Sequence, residues 1–226
     1  YLSETLMAPV VLQNINKPLA QRLAKDSVIL FDTGTNINTS GSSNVIGIAD
    51  GTYNGGMPFS FAGTTADKEL TNRGIISAGD KSAVLYAKNN AAMLNAGTVT
   101  VGKESVGLYG VSVNDVENKG TINVGENSKG IYLKDGVLTG VLNSGKILSS
   151  SDTAVGIISD YNGGSTTLIK TTDEIKLTGE NSVGIYTTGT GIQNVENIGL
   201  IEIGASSDRN NPGMAIYNTG IGNTVL

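Results

Sequence analysis

The chain has 226 residues, ample for one elongated domain, and its apolar content of 38% is low for a compact globule but suits a thin rod with a narrow core. A net charge of −5, with Arg22, Arg73 and Arg209 scattered, excludes a basic nucleic-acid surface. The lack of His and Cys removes the usual neutral-pH general base, cysteine nucleophiles and thiolate metal sites.

Residues 1–33 stand apart from the rest. In NKPLAQRLAKD, 16–26, Asn16 is placed as an N-cap and Pro18 falls in the first turn, while Leu19, Leu23 and the two alanines form an apolar stripe. A short helix is predicted there, followed by a strand from Ser27 to Phe31. The segment reads as a helical or irregular cap over an open end, or as a junction to a preceding domain.

From residue 34 to 226 a unit of roughly two dozen residues recurs about seven times. NAGTVTVGKESVGLY at 95–109 and NKGTINVGENSKGIY at 118–132 match at an offset of 23, as does NRGIISAGDKSAVLY at 72–86. Looser copies lie at 34–49, 143–158 (with one extra residue), 175–186 and 197–217. Within each copy short runs alternate with a period of two. Ile122 and Val124 point one way, Thr121 and Asn123 the other, the pattern of a strand with one buried face. Gly and Asn punctuate these runs and supply sharp corners. No run can support a sheet of its own. Stacked about 4.8 Å apart, each strand pairs with its counterpart one coil later and the inward aliphatics form a continuous column. The fold class predicted is all-β: a parallel β-helix of about seven coils, on the order of 30 Å long by that spacing.

The recurring Asn72, Asn95, Asn118, Asn143 and Asn197 are expected to form a hydrogen-bonded ladder at one corner. The recurring Tyr86, Tyr109, Tyr132, Tyr186 and Tyr217 have two readings, a packing stack or an exposed row of sugar-binding aromatics. The scaffold reading is the stronger, although strict alternation after an inward Ile131 sends Tyr132 outward.

Two insertions interrupt the repeat, at 50–68 and 160–167, and each contains Tyr-Asn-Gly-Gly. Both follow the same landmark, so they are expected to leave the rod at one corner, about four coils or roughly 19 Å apart. Loops on a rigid scaffold commonly carry recognition, which makes Tyr53, Asn54, Met57, Phe59, Phe61, Tyr161 and Asn162 the candidate ligand-binding residues. The alternative is that both loops are permissive insertions.

No catalytic, cofactor or metal site is predicted. The acids are spread, with Asp50 and Asp160 at equivalent loop starts, and the neighbours Asp173 and Glu174 face opposite ways on a strand, unlike the paired carboxylates of a glycosidase. No Gly-x-Ser-x-Gly elbow and no calcium repeat appears. No helical transmembrane run and no signal peptide is read. The closing GIGNTVL stops in mid-pattern, as expected of a piece of a longer protein.

The string N-x-G-x-I-x-V-G-x-x-S-x-G-I-Y, as in Asn118–Tyr132, resembles the repeat in passenger regions of very large autotransporter adhesins of Gram-negative bacteria, and is especially similar to the fusobacterial, RadD-like family of type V secretion. The resemblance covers about residues 70–217, with 34–49 weakly, and excludes 1–33 and 50–68. It implies a right-handed β-helix displayed on the cell surface and tethered through a C-terminal outer-membrane β-barrel that is absent here; the chain itself is expected to be a monomer and not an enzyme. Freedom from Cys suits passage through an oxidising periplasm. The resemblance also implies coaggregation and host-cell attachment, with a surface protein or glycan as partner, and transfers no binding residue because the family's repeat positions are scaffold. A stalk whose binding site lies elsewhere, and less favourably a polysaccharide-degrading β-helix, are the rival expectations.

Overall fold

The structure, a computed structural model, describes residues 23–24, 28–39, 41–50, 64–66, 69–222 and 224–225. Among them every regular element is a strand, and the strands stack in parallel into a β-solenoid. Each turn has three faces. Face two is the most regular, a seven-stranded sheet built from Asn36–Thr39, Ile75–Ala78, Thr98–Val101, Thr121–Asn123, Lys146–Ser149, Glu174–Leu177 and Leu200–Ile203. The five turns between its two end strands are covered on both sides. The expected seven coils are reached only by counting the end turns as well.

The alternation seen in the sequence sets which side is buried. In Thr98–Val101 the valines are buried and the threonines half-buried. Parallel pairing in constant register places Ile37, Ile76, Val99, Ile122, Ile147, Ile175 and Ile201 in one line along the rod. All but the last are buried, each worth about 1.5–3 kcal/mol of apolar burial. Leu70, Met93, Val116, Val141, Ile169 and Val195 form the facing line on face one. Leu85, Leu108, Ile131, Ile157, Ile185 and Ile216 complete the core from face three.

The corner from face one to face two is tied by asparagines. Asn72 Nδ2 donates to Asn95 Oδ1 at 2.8 Å, Asn95 to Asn118 at 2.8 Å and Asn118 to Asn143 at 2.7 Å. Thr171 replaces the next Asn and accepts from Asn143 Nδ2 at 3.1 Å, so the ladder ends before Asn197. The corner from face two to face three repeats a left-handed residue, at Lys81, Glu104, Asn127, Thr153 and Asn181, with φ between 52° and 57°. A buried serine follows in most turns. Ser105 Oγ accepts from Ser82 N at 3.0 Å, and Ser128 Oγ from Ser105 N at 2.9 Å.

One expectation is corrected at the N-terminal end. Leu23–Ala24, placed in a helix by the apolar stripe, is a strand antiparallel to Val28–Phe31, on the edge away from Glu69–Asn72. An unpaired strand edge offers backbone partners that override a short helix of modest propensity. The remaining residues of the predicted helix lie outside the described residues.

Candidate functional site

The corner from face three to face one carries both insertions. Asp50, Lys88, Val111, Lys134, Asp160 and Thr188 form one register line on face three, and the chain leaves that line after Asp50 and again after Asp160. In the turns between, the corner is short. Asn89 and Asn90 make it with φ of 53° and 66°, and Ser112 bends a continuous strand at 53°. Of the first insertion, Thr64–Ala66 is described, a strand parallel to Gly47–Ala49 on face three; Tyr53, Asn54, Met57, Phe59 and Phe61 lie outside the described residues.

Tyr161 and Asn162 are described, and both are engaged in the scaffold. Tyr161, one of the candidate ligand-binding residues, is 5% exposed, so its ring offers little surface to a ligand. Its backbone N donates to Thr188 O at 3.0 Å, and its ring lies so close to Gly163 and Gly191 that a Cβ at either would strike it. The two glycines that flank it in space explain why an aromatic tucks in here: they leave a slot that no side chain fills. Asn162 is exposed, yet its Oδ1 accepts from Thr190 N at 3.1 Å and its Nδ2 donates to Asp160 at 3.1 Å. The loop is thus stacked on the corner of the next turn.

The tyrosine series lies outside the central column. Tyr109, Tyr132 and Tyr186 are at most 7% exposed and belong to a second apolar cluster with Val106, Val155 and Ile158, on the side of face three away from the core. Rings stack at 5.2 Å between Tyr86 and Tyr109 and between Tyr109 and Tyr132, and at 5.1 Å between Tyr186 and Tyr217. Ile158 occupies the intervening turn. The row is a packing stack, and the outward direction that alternation implied for Tyr132 is also right. Burial pushes the phenols of Tyr109 and Tyr132 up.

Lys129 takes the register position of Val106 and Val155 in that cluster and is 3% exposed. Its Nζ donates to Asn127 O at 3.4 Å. Burial pulls its ammonium down to about 8, against an opposing pull from Glu104.

The outer side of face two holds a shallow groove of about 380 Å³, lined by Asn123, Leu148, Ser150, Ser151, Lys176 and Thr178 among others. The extra residue of the 143–158 copy falls in the serine run and swells this corner. Lys176 is paired with Glu202 at 2.9 Å, so the groove presents little free charge.

The described acids serve local geometry. Asp152 Oδ1 accepts from Glu180 N at 2.8 Å, Glu174 pairs with Lys146 at 3.2 Å and Lys103 with Glu126 at 2.6 Å. Among the described residues no group of three or more acids could hold a metal ion, and no helix is long and apolar enough to cross a membrane. Two features escaped the sequence reading although their signal was present: Lys129 in a valine column, and the polar Ser159 and Thr187 in a column that has Leu133 one turn earlier. Comparison with protein-family models, with curated proteins and with solved structures found no match.

Proposed function

We propose that this solenoid is a passenger segment of a bacterial surface adhesin, a rod that presents loops to a protein or glycan on another bacterium or a host cell. The reading rests on the resemblance of the Asn118–Tyr132 repeat to autotransporter passengers. The observation that carries it further is the division of labour in the fold: repeat residues are consumed by ladders and core, while one register line, through Asp50 and Asp160, is where the chain departs from the repeat. In this reading the rod is held at the outer membrane by a β-barrel and recognition belongs to the first insertion, because Tyr161 and Asn162 are engaged within the scaffold.

The test is adhesion of beads coated with the purified chain to bacterial and epithelial cells, with soluble chain as competitor. A Tyr53→Ser/Phe59→Ser/Phe61→Ser variant is expected to lose adhesion while keeping its β-sheet circular dichroism. A second reading, a spacer within a longer adhesin, draws on the tight stacking of the 160–164 loop on the next corner. Beads that adhere to neither cell type favour the spacer. Release of reducing or unsaturated sugars from polysaccharides would overturn both.

A further inference from the structure

Seven buried side-chain oxygens of the described residues have no hydrogen-bond partner, and four of them belong to one corner: Ser159 Oγ, Thr167 Oγ1, Thr187 Oγ1 and Gln193 Oε1. The topology brings these four together. Ser159 pairs with Thr187 on face three, and Thr167 with Gln193 on face one. The first pair follows the inward Ile157 and Ile185 by two residues, and the second precedes the inward Ile169 and Val195 by two. Alternation therefore turns all four side chains into the rod, on the two flanks of the same corner in adjacent turns. Each is at most 1% exposed. Gln193 reaches across the corner, its Nε2 donating to Thr188 O at 2.5 Å, which leaves its Oε1 as the free acceptor.

The same corner is apolar in earlier turns. Ala87 and Leu133 hold the position of Ser159, and both belong to the main core. Passing from Leu133 to Ser159 removes three heavy atoms of side chain and adds a hydroxyl, so space and polarity arrive together. Tyr161 closes the corner against Gly163 and Gly191.

We propose that this corner is a binding site for ordered water, roughly one to two molecules by the usual two to four hydrogen bonds per buried water. Three hydroxyls can each donate and accept, and the Gln193 carbonyl accepts, the mix that water satisfies. All four oxygens are neutral, and a cation brought here would be desolvated without a paired charge, which decides for water over an ion.

The test uses the full chain. A crystal structure at high resolution is expected to show density within hydrogen-bond distance of at least two of the four oxygens. Thr167→Val/Thr187→Val keeps shape and removes two hydroxyls. With water bound, the variant loses that density and its thermal midpoint falls by about 2–4 °C. A midpoint that holds or rises means the hydroxyls were unpaired and dry, and overturns the proposal. So does wild-type density without water there. A midpoint that shifts when sodium is exchanged for potassium or choline identifies an ion instead and overturns it equally. Should the double variant fail to fold, the wild-type density alone decides.

Discussion

Asn95 donates from Nδ2 to Asn118 Oδ1 at 2.8 Å across one turn of the solenoid, and both side chains are fully buried. Asn118 in turn donates to Asn143 at 2.7 Å. Each inner amide is at once acceptor from one turn and donor to the next, so removing one orphans a buried group on either side. Asn118→Ala is expected to cost about 2–4 kcal/mol, read as a lower urea midpoint. Asn197→Ala, a half-buried residue bonded to Gly199 within its own corner, is expected to cost clearly less. Equal losses would mean that the ladder adds nothing beyond single corners.

The glycine two residues on is required for a different reason. A Cβ at Gly120 would strike Gly97 O of the preceding turn and sit 2.9 Å from Ala96 C. Both are backbone atoms held by the ladder, so the turn must separate from its neighbour to admit a methyl. Gly120→Ala is expected to destabilise by about 2–3 kcal/mol. Gly164 meets nothing within 4 Å and lies on the loop. Gly164→Ala should leave the urea midpoint unchanged, and a comparable loss there would remove the steric explanation.

The stack, its faces and its inward columns were legible because a period of two and a constant offset determine register once strands pair one coil apart. Asn72, Asn95, Asn118 and Asn143 were readable as a ladder for the same reason. Thr171 was not, since the 166–174 segment shares no Asn-x-Gly landmark and only pairing reveals its place. The Leu23–Ala24 strand was missed because a sheet edge is a tertiary fact that local helix signals do not contain. The burial of Tyr161 was not legible for a related reason: Gly191, which makes room for its ring, is 30 residues away in sequence and adjacent only after stacking.

The tyrosine stack gives a graded test. Tyr109 lies between Tyr86 and Tyr132, with centroids at 5.2 Å on both sides. Tyr109→Ala removes a ring that is 7% exposed and is expected to cost about 3–5 kcal/mol. Ile158 fills the equivalent place between Tyr132 and Tyr186, so an aliphatic of that size fits the column. Tyr109→Ile should therefore recover more than half of the loss in the same denaturation series. If it recovers none, ring stacking and not volume holds this cluster.

Lys129 makes stability depend on pH, and the sign follows from its burial. Its ammonium titrates near 8 in the fold and near 10.5 when unfolded, so between those values the unfolded chain binds more protons. Stability is lowest while the buried lysine is charged, below about pH 8, and rises as pH climbs above it. Tyr109 and Tyr132 act the other way at higher pH. Their phenols are pushed up from 10.0, so above that value the unfolded chain loses protons the fold retains, and stability turns down. The urea midpoint should therefore rise from pH 7 to a maximum near pH 10 and then fall. Lys129→Met fits the valine column without a charge and is expected to stabilise by about 2–4 kcal/mol at pH 7. It should also abolish the rise between pH 8 and 10 while leaving the fall above it. A variant no more stable than the parent at pH 7, with the rise intact, would show that Lys129 reaches solvent and that another group titrates there.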